Sequence, residues 1–244
     1  MKPWDWGVWC EDEAGPYQTK PYAGHRWGPE GHPQHYPHEY TRTGTAKIMT
    51  LFHPQSGQVH VKGTTSTTND ILHPWMKGEL EAILAQLPKK EPLADPAQNR
   101  AEWLHWQAGL EAKITLPQKL PRLRMLLILD NLKGHKSVDF VLWLFAHGIM
   151  PLYTPLGGSW LNMTESIQRI LKKRAIEGSY PRTENHIMMW FESVARHWNT
   201  DPTPFIWGGK RQRRRQRARQ RRLHRLGGSG AYTRRPVRRK WQAA

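Results

Sequence analysis

The chain has 244 residues with 37 Lys and Arg against 20 Asp and Glu, which gives a formal net charge of +17. This length is enough for one domain with a sizeable core. The single cysteine, Cys10, excludes an intrachain disulfide and is typical of a reducing cytoplasm. The sequence has no apolar run of about eighteen residues and no signal peptide, which argues against a membrane or secreted protein, so we expect a cytoplasmic one.

The basic charge is concentrated at the C-terminus. Fifteen of the 37 basic residues and none of the acidic ones lie in 210–244, which leaves 22 basic against 20 acidic residues in 1–209. We therefore expect a nearly neutral domain over 1–209 and an Arg-rich tail over 210–244. A basic run is usually only solvated, but this charge density exceeds what solubility requires. It favours contact with DNA phosphates without sequence reading.

The N-terminal part predicts three neighbouring strands. Residues 6–10 form a short apolar strand that runs into the acidic triplet 11–13, and a Gly-Pro pair then breaks the pattern. Segments 44–53 and 58–63 are rich in β-branched residues and are joined by a turn that contains glycine. They predict a hairpin that pairs beside the first strand.

Further along the chain, helices alternate with strands. Asn69 can cap a helix that ends at Pro88, and 89–120 is charged and interrupted by prolines, so we interpret it as an insertion around one helix, 97–113. The apolar spacing then predicts a strand, a helix, a strand and two helices at 123–130, 137–147, 148–153, 160–177 and 183–199. This order indicates an α/β fold with a mixed sheet, three antiparallel strands first, flanked by helices.

Three acidic residues fall where these elements begin or end. Asp12 follows the first strand, Asp130 ends the strand 123–130, and Glu165 lies in the first turns of the helix after the last strand. Ligands gather outside the carboxyl ends of strands in such sheets, and carboxylate oxygens favour Mg²⁺ or Mn²⁺. Each acid taken alone is more often a turn former or a helix-dipole partner, so only their joint arrangement points to a metal site.

The same residues resemble a known family. The stretches WCEDEAG, LDNLKGHK and TPLGGSWLNMTESIQRILKKRA, with 34 residues between Asp130 and Glu165, are similar to the DDE transposases of mariner-like bacterial insertion sequences. That family often has N-P-x-E at its last acid, whereas this chain has N-M-T-E, which affects how the helix begins more than the metal ligand. The resemblance implies a ribonuclease H-like domain in which Asp12, Asp130 and Glu165 are the catalytic, metal-binding triad.

The resemblance also implies a reaction and partners. Such transposases use Mg²⁺ or Mn²⁺, as a pair of ions, to cut double-stranded DNA at transposon ends and join the freed 3′-hydroxyl to target DNA, typically at TA. They pair two ends as a dimer, and helix-turn-helix modules before the catalytic domain read the inverted repeats. This chain starts almost at the first strand, so we expect a separate upstream protein to supply those modules or the sequence to be a fragment.

The residues beside the triad have weaker claims to a catalytic role. Glu11 and Glu13 should point away from Asp12 if the strand continues, because side chains alternate along a strand. His135, five residues after Asp130, could assist a leaving group or contact phosphate. A histidine in a glycine turn is more often structural, so His135 is not among the predicted catalytic residues.

Two further sequence features concern histidine and tryptophan. His32, His35 and His38 recur every third residue, but they lack zinc-ligand spacing, which favours a loop that packs on the sheet or contacts DNA. Trp160 lies beside a Gly-Gly pair and just before Glu165, so it is the tryptophan that we expect near the site. Most other tryptophans are expected in the core.

Two other functions stay open at this point. A decayed transposase could bind DNA through its tail without catalysis, although the survival of all three acids argues against it. A ribonuclease H-like nuclease that acts in repair or on hybrids is a further alternative. Metal binding that depends on the acids would distinguish an enzyme from a remnant, and the preferred substrate would identify a repair nuclease.

Overall fold

The structure is a computed structural model that describes residues 7–25, 28–33, 35–88, 95–110, 113–205 and 216. The boundary predicted at 209 and the Arg-rich tail, apart from residue 216, lie outside these ranges. In the unit Met1–Pro204 the described residues form five strands and five α-helices. They are β1 (Val8–Gln18), β2 (Thr45–Phe52), β3 (Val59–Thr64), α1 (Asn69–Gln86), α2 (Pro96–Gln107), β4 (Met125–Leu129), α3 (Val138–Ala146), β5 (Ile149–Tyr153), α4 (Thr164–Ala175) and α5 (Glu184–Trp198).

The five strands form one mixed sheet in the order β3-β2-β1-β4-β5. The pairs β1–β2 and β2–β3 are antiparallel, whereas β4 runs parallel to both β1 and β5. Parallel neighbours need a crossover connection, which α3 supplies between β4 and β5. The predicted α/β class is confirmed, with three antiparallel strands followed by alternating helices and strands in a ribonuclease H-like sheet.

The first strand is longer than the sequence predicted. Its pairing with β2 continues to Gln18, so the prediction that the strand ends at residue 10 is wrong. The register shifts between Ala14 and Tyr17, where Gly15 has a φ of +121°, a conformation that other residues rarely adopt. A glycine irregularity therefore lets the strand pass a Gly-Pro pair that local rules treat as a break.

Alternate residues of the strands face two separate cores. On one face, α1 and α3 pack against a cluster that includes Trp9, Met49, Leu51, Leu127, Ile149, Leu80 and Phe140. On the other face, α4 and α5 pack against a cluster that includes Ile48, Phe52, Val59, Leu171 and Phe191. Because Ile48 and Met49 are neighbours on opposite faces, the strand is buried on both sides, as its continuous apolar sequence requires.

The helix inside the predicted insertion contributes to the core. Trp103 of α2 is completely buried, meets the ring of Phe145 edge-on, and donates its indole N–H to the Pro121 carbonyl oxygen at 3.0 Å. Leu126 and Met150, which face away from the α1–α3 side, belong to the same cluster. The helix α2 thus covers part of the sheet, and the status of 89–120 as an insertion stays a prediction.

Two helices begin elsewhere than predicted. The helix that carries Glu165 begins at Thr164 and not at 160, because Ser159–Leu161 forms a separate 3₁₀ turn. The first helix is entered through Thr68, and Asn69 is already its first residue. The predicted start of α5 is confirmed, since the Thr183 hydroxyl accepts the His186 N–H.

The tryptophans predicted as core residues all pack on the sheet. One is buried and three are partly buried against the two clusters; they are Trp198, Trp75, Trp143 and Trp190. In the described part of the chain, no helix has the length and apolar character needed to cross a membrane.

Candidate active site

The acidic triplet lies where β1 leaves its parallel neighbour. Only Val8 to Cys10 pair with β4, and β4 ends at Leu129, opposite Tyr153 of β5. After Cys10, β1 pairs with β2 alone, so the edge of β1 that faced β4 is no longer covered by that strand. Asp130 follows β4 directly. The parallel pairing of β1 with β4 therefore ends beside Asp12 and Asp130.

Side chains of the triplet alternate between the two faces of the sheet. Glu11 and Glu13 lie on one face near His135, with distances from the His135 Nε2 to their carboxylate oxygens of 2.9 and 4.0 Å. Asp12 lies on the other face, toward α4. The alternation expected for a continuing strand is confirmed, and it separates Asp12 from both neighbours.

The start of α4 is fastened to β1 by two amides. The side-chain N–H of Asn162 donates to the Glu11 carbonyl oxygen at 2.6 Å, while its Oδ1 accepts the Thr164 N–H at 3.1 Å. One turn further, Gln168 donates to the Asp12 carbonyl oxygen at 3.1 Å. These bonds hold the first turn of α4, and with it Glu165, against the acidic part of β1.

The three predicted acids interact electrostatically. Burial and the charges of Glu11, Asp130 and Glu165 raise the pKa of Asp12 to about 7, although its Oδ1 accepts the N–H of Glu13 at 2.9 Å. Asp12 therefore lies close enough to Asp130 and Glu165 for these carboxylates to repel it. Their mutual repulsion is relieved when a cation or a proton is present between them.

The side chain of Asp130 is held in its ionised form. Its Oδ1 accepts two hydrogen bonds, from His135 Nδ1 at 2.8 Å and from the Leu132 N–H at 3.0 Å. Burial alone would raise the pKa of this carboxyl group, but these bonds and the nearby positive charges hold it below its ordinary value. Asp130 thus stays a carboxylate beside an Asp12 that is partly protonated at neutral pH.

A buried histidine was not among the predicted catalytic residues, yet it lies at the centre of the acids. His135 is completely buried in the turn Gly134–Lys136. Burial would lower its pKa, but Glu11, Asp130 and Glu13 together raise that pKa to about 11, so the ring is an imidazolium. The sequence placed His135 five residues after Asp130 but gave no sign that Glu11 would lie on its other side.

Glu11 is the least expected member of this group. Its side chain has no exposed surface, and among the described residues neither carboxylate oxygen has an aligned hydrogen bond, although Oε2 lies 2.9 Å from His135 Nε2. Glu11, Glu13 and His135 also have ligand atoms within 4.8 Å of one another. Burying a carboxylate this completely requires a positive partner, and the imidazolium supplies one.

The other predicted features lie away from this cluster. His32, His35 and His38 are in an exposed loop, and none of them belongs to the group of possible metal ligands found in the described residues. Trp160 has 72% of its surface exposed in the 3₁₀ turn Ser159–Leu161, two residues before Asn162. Its position in the chain beside the start of α4 is as predicted, and its role stays a prediction.

The family of the chain follows from its sequence as a whole. Residues 7–187 match the DDE superfamily endonucleases, and this match covers more than half of the chain. The protein therefore belongs to the DDE superfamily endonucleases, a class of nucleases. No curated protein matches it.

Solved structures with a similar fold are distant in sequence. A pre-cleavage Mos1 transpososome is 11% identical, with a TM-score of 0.42 over 84% of this chain and 58% of that chain. The Mos1 strand transfer complex is 9% identical, with a TM-score of 0.44 over 82% of this chain and 56% of that chain. A simian T-cell lymphotropic virus intasome in complex with the PP2A regulatory subunit B56 gamma is 12% identical, with a TM-score of 0.39 over 77% of this chain and 48% of that chain. The chain thus spans about half the length of these solved chains.

Proposed function

We propose that this chain is the catalytic domain of a mariner-like transposase of a bacterial insertion sequence. It cleaves transposon DNA at its ends and transfers the resulting 3′-hydroxyl into target DNA. Asp12, Asp130 and Glu165 are proposed as its catalytic, metal-binding residues. The observation that supports this proposal is the environment of Asp12: burial, the charge of Glu11 and the charges of Asp130 and Glu165 raise its pKa to about 7.

The donor set fits Mg²⁺ or Mn²⁺. Carboxylate oxygens are the ligands that these hard cations prefer, and a bound cation would offset the burial and the neighbouring negative charges that raise the pKa of Asp12. Asp12, Asp130 and Glu165 would hold the metal, which we propose as a pair of ions. When bound, divalent cations activate an attacking oxygen and stabilise a leaving oxygen in phosphodiester chemistry.

The residues of the chain prepare this site before DNA arrives. Asp130 is kept ionised by the hydrogen bonds to its Oδ1. The amides of Asn162 and Gln168 hold the first turn of α4 beside β1, so the backbone that carries Glu165 is already in place. A site held in this way loses little energy to reorganisation when charge develops on the phosphate.

The partners are proposed from the family and the charge. The substrates are double-stranded transposon ends and target DNA, and the Arg-rich tail over 210–244 is proposed to contact phosphates. A homodimer would pair two ends, and helix-turn-helix modules from an upstream protein would read them. In a bacterial host this DNA is in the cytoplasm, where we propose that the protein acts.

The proposal is tested with the full chain and supercoiled plasmid DNA in Mn²⁺. Nicking should fall by roughly 100-fold or more in Asp130→Asn, the scale of losing one electrostatic group at a reacting centre. The matched control is Glu79→Gln. It removes a partly exposed acid of α1 that pairs with His60 of β3. Both variants should keep the wild-type circular dichroism spectrum.

Two results would contradict the proposal. Nicking that is equal in Asp130→Asn and the wild type would exclude Asp130 from catalysis. DNA binding without nicking in any divalent cation, and without metal binding that depends on Asp12 or Glu165, would instead indicate a remnant that only binds DNA.

A further inference from the structure

The Asp130 carboxylate contacts the buried side chain of His135, which in turn contacts the buried side chain of Glu11. His135 Nδ1 donates to Asp130 Oδ1 at 2.8 Å, and the other ring nitrogen, Nε2, lies 2.9 Å from Glu11 Oε2. Neither Glu11 nor His135 has exposed surface. Asp130, His135 and Glu11 therefore form a chain of contacts that runs from the edge of the site into the interior.

The position of the imidazole is fixed by the backbone on which it lies. The Tyr153 hydroxyl at the end of β5 donates to the His135 carbonyl oxygen at 2.7 Å. The His73 ring of α1 contacts the neighbouring Gly134 carbonyl oxygen at 3.0 Å. Because β5 and α1 both hold the turn Gly134–Lys136, the ring cannot move away from Asp130 without breaking contacts to the core.

The hydrogen bonds to Asp130 distinguish its two oxygens. Within the described residues, both bonds that this side chain accepts end on Oδ1, from His135 and from the Leu132 N–H. Oδ2 is therefore the oxygen of Asp130 that these two bonds leave available to a ligand. A carboxylate restrained through one oxygen presents the other in a fixed direction, which is how outer partners commonly orient a metal ligand.

We propose that Glu11 and His135 are positioning residues, which restrain Asp130 through Oδ1 so that Oδ2 is presented to a divalent cation. The inference rests on the proposed function, because it needs Asp130 to be a ligand. Glu11 acts through His135: its Oε2 lies 2.9 Å from Nε2, on the side of the ring away from Asp130, and keeps Nδ1 directed at Asp130. Neither residue is proposed to contact the cation or DNA.

Two substitutions of His135 separate the two ends of the ring. Asn places its amide nitrogen near the position of Nδ1 and can still donate to Asp130, whereas Gln reaches toward the position of Nε2 and Glu11. We expect His135→Gln to weaken Mn²⁺ binding by about 10–100-fold, the usual cost of losing an outer partner. His135→Asn should recover most of that loss.

The role of Glu11 is tested by combination. Glu11→Gln keeps the size of the side chain and should weaken Mn²⁺ binding by about 3–10-fold, less than His135→Gln, because the ring keeps its bond to Asp130. The double variant Glu11→Gln with His135→Gln should bind Mn²⁺ as the His135→Gln variant does. A residue that acts only through another contributes nothing once that other residue is gone.

Binding is measured on the full chain by titration calorimetry and by the electron paramagnetic resonance signal of free Mn²⁺. His60→Gln is the matched control, since His60 makes a similar pair with Glu79 on β3 and α1 and should leave Mn²⁺ affinity unchanged. Thermal unfolding is recorded for every variant. If His135→Gln does not fold, the comparison of His135→Asn with Glu11→Gln still tests the order of effects.

Three outcomes would overturn the inference. His135→Gln could bind Mn²⁺ as tightly as the wild type, or His135→Asn could lose as much affinity as His135→Gln. A Mn²⁺ ion lost in Glu13→Gln and Glu11→Gln but kept in Asp12→Asn would instead show that Glu11, Glu13 and His135 bind the metal directly. Failure of the proposed function is distinguishable, because Asp12→Asn and Asp130→Asn would then leave Mn²⁺ binding unchanged.

Discussion

Asn162 connects β1 to the start of α4, and its removal should weaken both the fold and the site. The side chain is only 1% exposed, donates to the Glu11 carbonyl oxygen at 2.6 Å and accepts the Thr164 N–H at 3.1 Å. Asn162→Ala leaves that carbonyl and that N–H without their partner. The start of α4, which carries Glu165, is then no longer tied to β1.

The size of the effect follows from these two bonds. A buried polar group that loses its partner costs about 1–3 kcal/mol, so two such groups give about 2–6 kcal/mol for Asn162→Ala. This is a large part of the roughly 5–15 kcal/mol that stabilises a typical domain. With a urea slope of about 2 kcal/mol per M, the unfolding midpoint should fall by roughly 1–3 M.

Urea unfolding followed by tryptophan fluorescence measures the free energy of unfolding, and Mn²⁺ titration measures the site. Asn199→Ala is the matched control, because Asn199 also makes two hydrogen bonds, to the Val59 N–H and carbonyl oxygen, but lies exposed at the end of α5. We expect it to cost about 1 kcal/mol, since water replaces the lost bonds, and to leave Mn²⁺ affinity unchanged.

An Asn162→Ala midpoint within about 0.3 M of the wild-type midpoint would contradict this prediction. The buried Glu11 carbonyl would then not need the Asn162 amide for stability. The prediction also fails if Asn162→Ala and Asn199→Ala weaken Mn²⁺ binding equally. In that case the loss would reflect general destabilisation and not the anchoring of Glu165.

Further predictions concern pH and stability. Because the folded chain holds the Asp12 proton up to about pH 7, against an ordinary value of 3.8, the free energy of unfolding without metal should fall as pH rises between these values. Mn²⁺ binding should release a proton near pH 6–7, as calorimetry in buffers of different ionisation enthalpy would detect, and Asp12→Asn should remove that release. Gly78→Ala should raise the free energy of unfolding by about 0.5–1 kcal/mol, because Gly78 is inside α1 with nothing within 4 Å of an added Cβ. Gly63→Ala should instead lower it by about 1–3 kcal/mol, since the Cβ would lie 2.3 Å from that of Met188; equal midpoints for the two glycine variants would contradict both. Thr183→Ala should lower the free energy of unfolding by about 1 kcal/mol by removing the cap of α5. A thermal unfolding midpoint equal to that of the wild type would contradict this.

Local patterns were enough to predict most of the sheet. The apolar run that ends at Leu129 is buried on both faces, and Asp130 follows it as the sequence indicated. The alternation of side chains also predicted that Glu11 and Glu13 would lie on the face opposite Asp12. These features depend on strand geometry and on burial, which are set by residues next to one another in the chain.

Local rules were wrong where distant contacts decide the backbone. A Gly-Pro pair normally ends a strand, but pairing with β2 carries β1 through it to Gln18. The helix predicted from residue 160 begins only at Thr164, because the Asn162 side chain accepts the Thr164 N–H and donates across to β1. The energy of these contacts comes from partners far away in the sequence, which no window along the chain includes.

The sequence by itself determined the α/β class, the positions of Asp130 and Glu165 at the ends of elements, and the family to which the acids point. Tertiary structure alone decided that His135 is buried between Glu11 and Asp130 and that Glu11 has no access to water. The physical reason is that a carboxylate is stable in the interior only beside a positive partner. Whether that partner is present depends on how two strands and a turn fold together, and not on the residues next to the acid.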